Sequence, residues 1–109
     1  MNERSKVAVI RMSGELDVAR KEELRHALVI DPAARAVLLD LSGATYADST
    51  VLTLLLQFYQ TADAQSVPVA IVATAPQFVR LIRYAGLQEV FAIYADRGEA
   101  LAYLERLER

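Results

Sequence analysis

The sequence predicts an α/β domain: a mainly parallel four-stranded sheet with four helices, in the order β-α-β-α-β-α-β-α. Three observations carry that expectation. Two short apolar runs, residues 36–41 (AVLLDL) and 69–73 (VAIVA), lack the polar alternation of a half-exposed strand and read as strands covered on both faces. Amphipathic stretches with capping residues stand between the strand-like segments. Regular alternation of strands and helices implies parallel strands joined by helical crossovers.

The first strand is residues 6–12 (KVAVIRM), short, β-branched and stopped by Ser13-Gly14. Asp17 stands where a helix N-cap belongs, with Glu22-Glu23 early and Arg25-His26 late, the order that suits the helix dipole. Leu24, Ala27 and Leu28 supply its apolar stripe, and Asp31-Pro32 is expected to end it. After the second strand, Ser42-Gly43 turns the chain, and the longest helix runs over residues 49–64. The third strand follows. Thr74-x-x-Gln77, with Pro76 in the first turn, has the pattern of a capping box. That helix presents Phe78, Val79, Leu81, Ile82 and Ala85, and Gly86-Leu87 reads as its C-cap. Residues 90–94 make the last strand. Asp96-x-x-Glu99 opens a terminal helix that turns Ala100, Leu101, Leu104 and Leu107 inward.

At 109 residues there is room for one domain, taken as residues 1–109, large enough to hold a core without disulfides or metals. The composition, 54% hydrophobic and 24% charged with four glycines and three prolines, is that of a folded chain. Net charge is −2 and the basic residues are scattered, so nothing suggests a nucleic-acid footprint or a polybasic membrane patch. No cysteine is present, which excludes thiolate chemistry. No stretch has the length of a signal-peptide core or a membrane span, so a cytoplasmic protein without membrane insertion is expected.

Catalytic machinery is hard to assemble. His26 is the only histidine, beside Arg25, and reads as a solvated surface residue. Neither a Ser-His-Asp set nor a His/Asp cluster at metal spacing occurs, and the four glycines stand apart rather than in a phosphate loop. A phosphate-receiver domain shares the alternation, but it would want two acidic residues after the first strand, where Met12-Ser13-Gly14 stand. A small enzyme using Asp17, Asp40 and Asp48 as acid–base groups lacks any second reactive group. The expectation is therefore a binding protein with no catalytic residues, cofactor or metal.

One segment stands out. Asp48-Ser49-Thr50 opens the longest helix, where free backbone N–H groups and the dipole favour an anion. A hydroxyl here caps the helix when bare and, when phosphorylated, carries up to about two negative charges to an exposed helix end. Thr50, Thr53, Gln57, Gln60 and Thr61 then fall on one narrow polar stripe, with Leu54 and Leu56 at its edges, where either could be half exposed. No charge lies between Asp48 and Asp63. Interface cores are depleted in charge, although a helix buried in the sandwich would need few charges as well.

Taken in order, several stretches carry a resemblance: Gly14-Glu15-Leu16-Asp17, Val37-Leu38-Leu39-Asp40-Leu41-Ser42-Gly43, Tyr46-Ala47-Asp48-Ser49-Thr50 with Leu52, and Pro76 through Arg80-Leu81-Ile82-Arg83 to Gly86-Leu87. With the Glu99-Ala100-Leu101 helix, they resemble STAS domains over almost the whole chain, in particular the bacterial anti-sigma factor antagonists. That resemblance implies a partner anti-sigma factor that is also an ATP-dependent serine kinase and holds a sigma factor inactive. The bare antagonist binds it and frees the sigma factor; phosphorylation ends the interaction and a phosphatase restores it. By position the phosphorylated residue is Ser49, with Thr50 as second choice. The partner surface combines Asp17, Asp48, Ser49, Thr50, Thr53, Leu54 and Gln57.

Val51 and Thr53 stand where the family pattern has glycines, so a partner backbone is expected to approach less closely and the first turn to be stiffer. The alternative function is thus an adaptor independent of phosphorylation, on a bacterial lipid-transport ATPase or in a stress-signalling assembly. Residues 1–5 replace a strand common in the family. The exposed sheet edge that would result is a possible site of weak homodimerisation.

Overall fold

The computed structural model describes residues 6–107. Four parallel strands, β1 (Lys6–Arg11), β3 (Ala34–Asp40), β5 (Val69–Val72) and β6 (Ala92–Tyr94), lie side by side in chain order. Each crossover therefore moves the same way across the sheet, and one handedness sets α1 (Lys21–Ala27), α2 (Ser49–Ala64) and α3 (Pro76–Tyr84) on one face. α4 (Arg97–Arg106) follows the last strand and covers the other.

The two faces are packed differently. Val37, Leu39, Val69 and Ile71 meet Leu24, Leu55, Phe58, Phe78 and Ile82 in a large core. On the opposite face Ala36, Leu38, Ala70 and Val72 meet Ala100 and Leu104 of α4 in a smaller cluster, with Val7, Tyr94 and Tyr103 packed at its edge. The alanines on both sides let α4 lie close to the sheet. β3 and β5 are buried on both faces, as their apolar runs require.

Asp40 is the only buried charged residue among those described. It ends β3, accepts both the hydroxyl and the backbone N–H of Ser42, and lies 3.5 Å from Arg11 and 3.8 Å from Arg97. The Ser42 hydroxyl, helped by the Ser42 N–H and the two guanidinium groups, holds its carboxyl below the usual aspartate range despite burial. This aspartate thus closes the Ser42-Gly43 turn.

Several expectations need correction. A second, two-stranded parallel sheet is present, β2 (Gly14–Leu16) beside β4 (Ala44–Ala47), where turns alone were expected. Asp17 caps a single 3-10 turn, Val18–Arg20, and α1 begins only after it. α1 also ends at Ala27, before Asp31-Pro32; β-branched Val29 and Ile30 and the residue preceding proline all favour extended backbone. Ala27 and Ala85 are exposed, and the last strand begins at Ala92. On α4, Ala100 and Leu104 are buried, but Leu101 is only half-buried and Leu107 is exposed. Gly86 follows the C-cap residue Ala85 and completes the expected C-terminal motif: at φ +73 its N–H donates to the Arg83 carbonyl, the Leu87 N–H donates to the Ile82 carbonyl, and Leu87 packs on the core. β1 is an edge strand among the described residues. The expectation about residues 1–5 lies outside them.

Candidate functional site

The small sheet is what builds the site. β2 and β4 pair in parallel and, after a register shift between Gly14 and Glu15, set Leu16 opposite Ala47, so the next residues, Asp17 and Asp48, emerge side by side. The turns that lead into these strands also touch. The Gly14 N–H donates to the Gly43 carbonyl at 3.0 Å, and a Cβ on Gly43 would sit 3.0 Å from that of Ser13. Gly14 is at φ +81, a conformation that costs glycine little. The Arg20 guanidinium locks this corner by donating to the Ser13 and Glu15 carbonyls and pairing with Glu23 at 2.9 Å.

Asp48 fastens two elements at once. One carboxylate oxygen accepts the Val51 N–H at 3.1 Å and so caps α2; the other accepts the Val18 N–H at 3.0 Å. Its own N–H donates to the Leu16 carbonyl at 3.2 Å, continuing the ladder of the small sheet. A third anchor comes from α3. The Gln77 side chain accepts the Ala47 N–H at 3.0 Å and donates to the Ala47 carbonyl at 2.8 Å, standing in for a strand partner on the outer edge of β4. The expected capping box does not form: Ala75 is the N-cap of α3 without a side-chain bond, and Thr74 reaches only the Ser42 carbonyl at 3.5 Å. Gln77 is the functional-site residue that sequence reasoning misplaced, since its spacing from Thr74 suggests a purely local role.

Ser49 is consequently not the cap. It is the first residue of α2, exposed, and its hydroxyl has no partner among the described residues. Thr50 is half-buried and faces the cleft beside Lys21 and Thr53. Along the stripe Thr53, Gln57, Gln60 and Thr61 are exposed. Thr53 and Thr61 turn their hydroxyls onto the carbonyls four residues back, Ser49 and Gln57, each at 3.1 Å. The stripe therefore offers fewer free polar groups than its composition suggests. Leu56 is half-buried, but Leu54 is only 5% exposed and belongs to the core edge rather than to the surface.

The two positions that depart from the glycine pattern separate cleanly. Val51 is 1% exposed and fills the core, where it cannot obstruct a partner. Thr53 stands on the surface. The expected steric hindrance is thus confined to one side chain.

The family model for the STAS domain matches residues 1–100 of this sequence. The chain belongs to the STAS domain family. An anti-sigma factor antagonist from Mycobacterium paratuberculosis superposes with a TM-score of 0.84 at 28% identity, covering 91% of this chain and 86% of that one. The anti-sigma factor antagonist SpoIIAA in its unphosphorylated form gives a TM-score of 0.74 at 22% identity, covering 96% and 92% of the two chains. The STAS domain of a SulP transporter from Vibrio cholerae gives 0.73 at 20% identity, with 94% and 84% covered. The last two show a shared fold alone. No curated protein sequence matches the chain. No helix among the described residues is long and apolar enough to cross a membrane.

Proposed function

We propose that this STAS domain is an anti-sigma factor antagonist. Unphosphorylated, it binds an anti-sigma factor with serine kinase activity and thereby releases a sigma factor. Phosphorylation of Ser49 ends binding, and a phosphatase restores it. The observation that carries this reading is the division of labour at the start of α2. Asp48 holds the backbone with both carboxylate oxygens, while the adjacent Ser49 hydroxyl is exposed and unengaged. A kinase can take that hydroxyl without dismantling the helix start. A phosphate there would set a solvated dianion beside Asp48 and at the mouth of the uncharged stripe, where a partner must exclude water. The likeness to the Mycobacterium antagonist supports the same role, and SpoIIAA is known in a phosphorylated form.

Incubation with ATP and a partner kinase captured from native lysate tests the assignment. One phosphate is expected in the intact mass, mapped to Ser49 and lost in Ser49→Ala. A phosphate on Thr50 or Ser42 would defeat it. Exposed Thr53 favours one second reading, an adaptor bound without phosphorylation on a lipid-transport ATPase or in a stress-signalling assembly; no phosphate under any kinase would select it.

A further inference from the structure

Between α1 and α2 lies a groove of about 440 Å³, floored by Leu28, Ile30, Leu54 and Phe58 and rimmed by Val29, which is 64% exposed. A smaller cleft of about 230 Å³ opens toward the start of α2 between Lys21, Thr50 and Thr53. The two share Arg25, Leu54 and Gln57, so they form one continuous trough along the helix pair.

The trough is polarised. No carboxylate lines either part. Arg25 is neutralised by Glu22 at 2.9 Å, whereas Lys21 makes no ion pair among the described residues. One end thus presents an unpaired ammonium and the other an apolar floor with an exposed valine at its rim.

We propose that this trough docks an amphipathic helical segment of a partner protein that sets a carboxylate against Lys21 and apolar side chains over Leu28, Val29 and Phe58. The proposal rests on the reading that the domain acts by binding a protein, and it names the partner's chemistry. Charge complementarity selects the occupant. A basic segment would bring like charge against Lys21, and an uncharged one would desolvate Lys21 without a partner. A trough between two helices suits a third helix laid along it by anchors one turn apart. Ser49 immediately precedes the Thr50 that lines the cation end, so a phosphate on Ser49 would compete with the partner's carboxylate for Lys21.

The test titrates the isotope-labelled full chain with two synthetic peptides of about four helical turns. Each is held helical by a staple on its polar face and carries the same leucine stripe. One has a Glu pair and the other a Lys pair at the end meant for Lys21. The Glu peptide is expected to shift amides of α1 and α2 and to bind at least ~10-fold more tightly than the Lys peptide. Lys21→Glu should reverse that preference, and Val29→Asp should weaken both peptides with the melting temperature unchanged. Shifts elsewhere, equal affinities, or a preference indifferent to Lys21→Glu would overturn the proposal. So would concentration-dependent sedimentation showing that a second copy of this chain fills the trough. The peptides do not involve Ser49 or a kinase. Charge-selective binding without Ser49 phosphorylation would sink the switch alone, and a working switch without trough binding would sink this proposal alone.

Discussion

α2 and α3 enter the same core from the same side of the sheet, yet their first turns are held in opposite ways. The start of α2 is gripped by its own aspartate, by the 3-10 turn through Val18, and by Gln77 reaching over from α3. The start of α3 has no side-chain cap at all and relies on Pro76, whose fixed φ suits a first helical turn. The polar groups that its sequence offers for capping are spent on other segments: Gln77 on Ala47, Thr74 on Ser42. Anchoring is concentrated at a helix start that carries an exposed, unengaged hydroxyl. The proposed switch would need that combination, because the backbone around Ser49 would have to stay in place while its side chain changed charge.

The contrast can be broken most severely at Asp48. Asp48→Ala removes the α2 cap and the bridge to Val18 together and should cost about 2–4 kcal/mol, from a lost N-cap plus a lost bond to a charged acceptor. Asp48→Ser, which keeps a cap but cannot span to Val18, should recover about half of that in urea unfolding. Next is Gln77→Ala. It strands the N–H and carbonyl of Ala47, a fully buried residue, and should cost about 1–3 kcal/mol. Amide exchange should quicken at Ala47 while the α3 amides hold their protection. If protection were lost first within α3, Gln77 would be serving its own helix after all.

Thr74→Ala and Ser49→Ala are the smallest. Each should stay within about 0.5 kcal/mol of the parent, because one long exposed bond and one unengaged hydroxyl are all that is lost. A Ser49→Ala loss above about 1 kcal/mol would return the capping role to Ser49.

The sheet, its covered strands and the span of α2 were legible because burial on both faces and helical periodicity leave marks in short windows of sequence. Asp48 and Ser49 were legible as a helix start, but which of them caps was not, since both residue types cap well. The small sheet is not legible in sequence because three or four residues such as Gly14–Leu16 carry no periodic signal; their pairing with β4 is set by contacts some thirty residues apart. The role of Gln77 is hidden for a related reason. A capping box is a local pattern, and nothing in the residues around Thr74 announces that the amide is needed by Ala47. Leu54 stands at the edge of the polar stripe on a helical projection, and only the tertiary packing of the large core decides that it is covered.

Asp48 holds the start of α2 while Ser49 is proposed to switch binding, and Ser49→Asp tests this division most directly. Calorimetry on the free variant and on its complex with the partner kinase gives both numbers. The free protein should melt at or slightly above the parent's temperature, because a carboxylate in the first helical turn gains ~0.3–1 kcal/mol from the dipole, partly offset by repulsion from Asp48. Binding should fall at least ~100-fold, since an unpaired charge would have to be desolvated against another protein. Ser49→Asp that melted far lower, or that still bound within a few fold of the parent, would contradict the account.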